Sequence, residues 1–265
     1  MPDKLKIALC FAGQYRTFGE EIVQKTLKYY LLDRYDCDCY FSTWDNKGYS
    51  INGGNNKKHS NDYINENNIK KYIPNCQIEI ENYKSWLETI PHNYKDFITY
   101  GGLHSGCVPQ LYKKYKVVNM IPKDKSYDFV IVTRPDNFIF GDFFLENIFN
   151  TPNTVWNCNP ERKWSFYPNR IYDVMFMGKL SVIKSMVNSY FCIENMLDDP
   201  YQSRLASLDC CKMLYIYAKK FCLFDVQSTE SLICDVYRGY GEKDIEYYLS
   251  NCNLSIKEFK LKFNL

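Results

Sequence analysis

Apolar residues in this chain fall into short runs that stop abruptly and longer stretches with helical spacing. Leu5 to Phe11 is a nearly continuous apolar run, as expected of a buried strand. A helix is predicted from about Gly19 to Leu32, with Ile22, Leu27, Tyr30 and Leu31 on its apolar face. Asp36 to Ser42 predicts a second strand, ending in Thr43-Trp44-Asp45. This β-α-β opening implies a parallel, Rossmann-like sheet. Residues 46–62 are polar and rich in Gly and Asn, which predicts a loop. Gln77 to Glu81 alternates and predicts a short strand. The glycine-rich segment 100–107 leads into a helix over about Val108 to Met120, with Pro109 suited to its first turn. Further strands are predicted at 128–133, at Thr154–Cys158 and at Tyr172–Met177, the last ended by Gly178.

Beyond this the pattern turns helical. Ser181 is the expected cap of a helix through about Met196, and a second helix spans roughly Arg204 to Lys219. A third starts at Ser228 and is ended by Gly239, and the tail is short and helical. No repeat or linker interrupts the chain. The expectation is one domain over 1–265, with an α/β body over about 1–180 and a helical C-terminal section over about 181–265.

Composition narrows the partners. The 265 residues are 46% hydrophobic, enough for one sizeable core. A net charge of +2 argues against nucleic acid as the main partner. The 24 tyrosines would suit sugar and base contacts, although an Asn/Lys/Tyr-rich coding bias gives the same count more simply. The 12 cysteines form no CxxC pair, and Cys37 and Cys39 share a face with Phe41 as core thiols. The opening MPDKLKIALCFAG is interrupted too soon for a signal peptide, and no run reaches the ~18–20 apolar residues of a membrane span. These features predict reduced cysteines in a cytoplasmic protein with no membrane span. Oligomeric state is not legible.

Candidate chemistry gathers at strand ends. The run Phe129-Val130-Ile131-Val132 stops at Thr133-Arg134-Pro135-Asp136-Asn137, placing an arginine and a carboxylate beside a potential cleft. A turn with a surface ion pair is the plain alternative, since Pro135 fixes its own φ and pushes Arg134 towards an extended conformation. The first strand ends in Gly13-Gln14-Tyr15-Arg16, where Gly13 permits close approach of a ligand and Arg16 could meet a pyrophosphate near a helix start. Trp44 offers a stacking face, Asp45 an acceptor for a base or ribose, and Asp136 a metal or sugar ligand. Asp173 precedes an apolar strand run, and Glu230 falls in the first turn of a predicted helix, where the helix dipole alone would favour a carboxylate. The first strand lacks GxGxxG, and the chain lacks GxxxxGK[ST] and GxSxG, which argues against an NAD site, a P-loop and an α/β-hydrolase elbow.

Taken together, Gly13-Gln14-x-Arg16, Phe41-Ser42-Thr43-Trp44-Asp45, Arg134-Pro135-Asp136, Asp173 to Gly178 and Glu230-Ser231-Leu232 resemble a group of GT-A-type glycosyltransferase-like proteins found in large DNA viruses and bacterial surface-polysaccharide clusters. The resemblance spans roughly 5–238. It implies a GT-A-like fold with a mostly parallel central sheet flanked by helices, a nucleotide-sugar donor (UDP- or GDP-linked), a glycan or glycoconjugate acceptor, and Mn2+ or Mg2+. Donor-binding residues would be Gly13, Gln14, Arg16, Thr43, Trp44, Asp45, Arg134 and Asp136, with Asp136 also the metal ligand. Asp173 and then Glu230 are the candidates for the base. In such enzymes a DxD motif holds the metal; here Arg134 takes the position of the first Asp, so either the arginine assumes part of the cation's task or Asp136 holds the ion alone with diphosphate and water. A non-catalytic carbohydrate- or protein-binding module, or a sugar nucleotidyltransferase, are the competing expectations.

Overall fold

Alternation along the first strand decides the layering of the molecule. Ile7, Leu9 and Phe11 point into one hydrophobic cluster, and Ala8, Cys10 and Ala12 into a second, because successive strand residues face opposite ways. The computed structural model describes residues 4–51, 57–90, 106–140, 145–148, 152–158, 170–197, 210–229, 233–236, 246, 249 and 255–265. Its strands are β1 (Lys6–Ala12), β2 (Asp36–Trp44), β3 (Asn46–Ile51), β4 (Lys57–Tyr63), β5 (Gln77–Glu81), β6 (Phe129–Thr133), β7 (Asn137–Phe140), β8 (Thr154–Cys158), β9 (Met175–Gly178), β10 (Asp225–Thr229) and β11 (Ile233–Val236). Its α-helices are α1 (Glu21–Leu27), α2 (Glu66–Lys70), α3 (Tyr83–Thr89), α4 (Cys107–Asn119), α5 (Leu180–Val187), α6 (Ile193–Leu197), α7 (Cys210–Ile216) and α8 (Ile256–Phe263).

Seven strands form the central sheet in the order β10-β8-β9-β6-β1-β2-β5. β1 runs parallel to β2 and β6, β2 to β5, and β10 to β8, whereas β9 runs antiparallel to both β6 and β8. The protein is therefore an α/β fold with a mostly parallel sheet. α1 and α8 cover one face through Ile22, Val23, Leu27, Phe259 and Phe263. α4, α5 and α7 cover the other through Leu111, Val118, Ile183, Met186 and Leu214. The small side chains of Ala8, Cys10 and Ala12 let α4 pack down over β1 and β2. Each fully buried Val, Leu or Ile contributes about 1.5–3 kcal/mol, so this two-sided core is the main source of stability.

Four expectations need correction. Residues 46–62 do not form a plain loop: β3 and β4 pair antiparallel as a hairpin. Its sequence, NKGYSI against KKHSNDY, lacks apolar alternation, so backbone pairing forms it without the usual signal. The helix expected from Ser228 is absent: residues 225–229 are β10 and 233–236 are β11, which pairs with β7. Val226, Thr229, Ile233 and Val236 are β-branched and favour a strand. Ser181 lies inside α5 rather than at its cap, which is Lys179. The expected helix to Met196 tightens into a 3-10 segment at Asn188–Cys192 before α6. Only the later half of the Arg204–Lys219 prediction falls on described residues, where α7 continues into a π-helical turn at Tyr217–Phe221. The tail helix α8 carries a capping box between Ser255 and Glu258.

The chain leaves β1 towards β2 on one side and returns through β6 on the other. At such a reversal, outside the carboxyl ends of the strands, open α/β sheets place ligands.

Candidate functional site

Two turns meet at this sheet edge. After β1 the Gly13 N–H still bonds the Ser42 carbonyl (3.1 Å), and Gly13 then adopts φ +120°, a conformation that disfavours any side chain. A Cβ there would lie 4.0 Å from Pro135 Cδ, so the β1 and β6 turns are in van der Waals contact. Arg16 follows in the left-handed region (φ 42°), held by its N–H to the Lys47 carbonyl (2.8 Å). α1 begins only at Glu21, so Arg16 lies ahead of the helix and does not share its N-terminus as expected.

After β6, the Asn137 N–H closes back on the Arg134 carbonyl (3.3 Å), a β-turn with Pro135 at the position proline favours. The Arg134 N–H and the Thr133 hydroxyl both donate to the Val174 carbonyl (2.9 and 3.2 Å). These bonds tie the turn to Asp173. Because β9 is antiparallel, its beginning lies at the same sheet edge as the carboxyl ends of the parallel strands, and this brings Asp173 to the site.

The side chains form one ionic chain. Arg134 Nε and Nη2 donate to Asp136 Oδ1 and Oδ2 (2.9 and 2.8 Å), a two-pronged pair. Arg16 Nη1 reaches Asp136 Oδ2 (3.2 Å), and Arg16 Nε donates to Gln14 Oε1 (3.0 Å). Arg134 Nη1 lies 3.7 Å from Asp173 Oδ2. The Asp136 side chain is only 2% exposed, so the pair is buried rather than a surface decoration of the turn. Burial works against the Arg134 charge, but Asp136 and Asp173 outweigh it and push its pKa up. Burial raises the Asp173 carboxyl, yet Arg134, Lys114 and donors from Cys211 and Gln110 hold it below the usual carboxylate range. Cys211 Sγ sits 3.3 Å from Asp173 Oδ1.

The other predicted residues lie apart from this chain. Thr43 and Trp44 are buried, Trp44 to 2% exposure, with its ring against Tyr83, Trp86 and Tyr112. It presents no face to a ligand. Asp45 accepts bonds from Asn82 Nδ2 (2.6 Å) and the Tyr83 N–H (3.4 Å), where it steadies the start of α3. Glu230 lies outside the described residues. Sequence reasoning missed Gln110, Lys114 and Cys211, which come from α4 and α7 and carry no local motif. It also missed a cavity of about 410 Å3 beside Arg16, lined by Tyr15, Lys47, Asp62, Tyr63 and Tyr72 among others. Tyr15 was within the quoted Gly-Gln-Tyr-Arg turn and is the one signal that could have pointed there.

The acidic groups do not fit a divalent cation. Both Asp136 oxygens are already taken by guanidinium donors, and Asp173 is bonded to Cys211 and faces Arg134. An Mg2+ or Mn2+ ion prefers free carboxylate oxygens and would here sit against Arg16 and Arg134. Among the described residues no group of three or more His, Cys, Asp or Glu could hold a metal, and no helix is long and apolar enough to cross a membrane.

No family model matches the chain, and no curated protein matches it. Among solved structures it is similar to the galactosyltransferase LgtC with donor and acceptor sugar analogues (11% identity, TM-score 0.44, 85% of this chain and 73% of that one). It is also similar to the apo glycosyltransferase GlyE of Streptococcus pneumoniae TIGR4 (9% identity, TM-score 0.43, 84% and 45%). A third is apo mouse xyloside xylosyltransferase 1 (8% identity, TM-score 0.43, 96% and 99%).

Proposed function

We propose that this protein is a glycosyltransferase that moves a sugar from a nucleotide-sugar donor, UDP- or GDP-linked, to a glycan or glycoconjugate acceptor. The observation that carries the reading is the ionic chain Arg16–Asp136–Arg134–Asp173 at the switch-point crevice between β1 and β6. Two guanidiniums fixed at that edge place positive charge where a diphosphate would lie. The motif resemblance set out above agrees with this chemistry.

In this reading Arg134 and Arg16 take the donor's phosphates, with Gly13 and Gln14 beside them. Asp136 aims both guanidiniums. The bond between the sugar's anomeric carbon and the β-phosphate oxygen breaks, its electron pair leaves with the nucleoside diphosphate, and the acceptor hydroxyl oxygen bonds to that carbon. The arginines stabilise the charge that grows on the leaving group. The nucleoside lies in the tyrosine-lined cavity beside Arg16, while Thr43, Trp44 and Asp45 support the strand end from beneath. The acceptor's proton passes to a carboxylate. Asp173 is a weak base, because its charged form is already stabilised by Arg134 and Lys114. Glu230 is the other candidate. Asp173 better suits holding Arg134 in place.

A thermal-shift screen of the purified chain against UDP-, GDP-, CMP- and dTDP-sugars tests the reading, since a ligand bound only by the folded state raises the melting temperature. One nucleotide class should stabilise it and should be slowly hydrolysed to the nucleoside diphosphate. Stabilisation by free oligosaccharides and by no nucleotide sugar would favour a binding module instead.

A further inference from the structure

Lys114 is the group in this molecule least explained by the fold. It lies in the middle of α4 at 1% exposure, and its Nζ has no hydrogen-bond partner among the described residues. Burying an ammonium without a partner is strongly unfavourable. Its location is informative. Gln110, one turn earlier on the same face of α4, donates to the Asp173 carboxylate, and Lys114 is close enough to help hold that carboxylate ionised. The chain Arg16–Asp136–Arg134–Asp173 is neutral by itself, with two guanidiniums to two carboxylates. Lys114 adds one buried positive charge.

We infer that Lys114, with Arg134 and Arg16, forms a cationic cradle that takes a diphosphate in place of a divalent metal. Asp136 and Asp173 then serve to fix the two arginines and not to ligate an ion, in keeping with their occupied oxygens. The missing partner of the ammonium is a phosphate oxygen supplied by the ligand. This rests on the donor reading above, and it deepens that reading by assigning the charge that balances the leaving group.

Calorimetric titration of the full chain with inorganic pyrophosphate, UDP and GDP, each in EDTA and in Mn2+, tests it on wild type and Lys114→Met. In EDTA, pyrophosphate and one nucleoside diphosphate should bind the wild type, and Mn2+ should change the dissociation constant by less than about threefold. Lys114→Met should weaken both by at least about tenfold, which is roughly 1.4 kcal/mol, while melting without ligand at the same temperature or higher, since an ammonium buried without a hydrogen bond is gone. Binding that requires Mn2+ overturns the cradle, as does unchanged affinity in the variant. A variant that melts lower or fails to fold also overturns it, because the ammonium would then have a structural partner. The wild-type arms decide without any variant. Nucleoside diphosphate binding that needs Mn2+ removes the cradle and keeps the donor reading. Pyrophosphate binding with no nucleoside diphosphate bound removes the donor reading and keeps the cradle, and no binding at all removes both.

Discussion

Lys113 and Lys114 are neighbours on α4, equally buried, and opposite in how the fold treats them. Lys113, at 0% exposure, donates to Glu81 (2.6 Å), lies 3.5 Å from Glu79 and sits 4.1 Å over the Trp44 ring. Lys116 adds a second cation to the same two glutamates, so that cluster is balanced, two charges against two. Lys114 points to the other side of the helix, towards Asp173, and finds no hydrogen bond among the described residues. One lysine is a finished piece of the structure that clamps α4 to β5. The other makes no hydrogen bond among the described residues and stands near Asp173, which faces Arg134. Burial alone therefore does not distinguish the two lysines; their hydrogen-bond partners do.

Four substitutions would sharpen or break this contrast. The largest effect belongs to the crevice. Asp136→Ala should abolish sugar transfer, by roughly 10^3-fold or more, since it frees both arginines from their aim. It should also destabilise by about 1.5–3 kcal/mol, because both guanidiniums lose a charged hydrogen-bond acceptor while Arg16 keeps Gln14 and Arg134 keeps Asp173. Full activity measured by donor turnover would sink the site assignment.

Next comes the aromatic floor of the balanced cluster. Trp44→Ala should cost about 3–5 kcal/mol in denaturant unfolding and leave nucleotide affinity within about threefold, measured at a temperature where the variant is folded. A loss of affinity without a loss of stability would return Trp44 to the donor site.

Lys113→Met should destabilise by about 2 kcal/mol, a reduced figure because Glu79 and Glu81 keep 23% and 26% exposure and Lys116 remains. The contrast with Lys114 lies in the sign. If both lysines proved equally destabilising to remove, the distinction drawn between them would fail.

The smallest effect is a pH dependence. Burial raises the Glu81 carboxyl, but Lys113, Tyr112 and Lys116 outweigh it and hold it below its ordinary value of 4.5. A lowered carboxyl contributes stability above its unfolded value and loses that contribution as pH falls through the folded one. Melting temperature should therefore be flat near neutral pH and decline below about 4.5. Glu81→Gln should flatten part of that decline. An unchanged acid limb would show that the charge of Glu81 is not what stabilises the clamp.

Much of the sheet could be read before any coordinates. β1 and β6 are buried on both faces, so they appear as unbroken apolar runs, and abrupt endings at Gly13 and Arg134 marked the sheet edge where the two turns meet. The β3–β4 hairpin and β10 escaped because their pairing is carried by the backbone and not by an apolar pattern. Trp44 and Asp45 follow the same strand-end rule as Arg134 and Asp136, yet the fold buries one and uses the other to steady α3. A strand end shows only that a residue is near the edge. Whether it faces ligand or core depends on what packs there, and α3 and α4 do the packing.

By itself, then, the sequence determined the α/β class, the parallel order of the opening strands and the turns at Gly13–Arg16 and Arg134–Asp136, because each follows from local periodicity and turn chemistry. Only the tertiary structure decided that Asp136 aims two arginines, that the antiparallel run of β9 delivers Asp173 to the same edge, and that of two adjacent lysines one is ion-paired to two glutamates and the other makes no hydrogen bond among the described residues. Charge balance in a buried site is a sum over residues distant in the chain, and no window of sequence contains that sum.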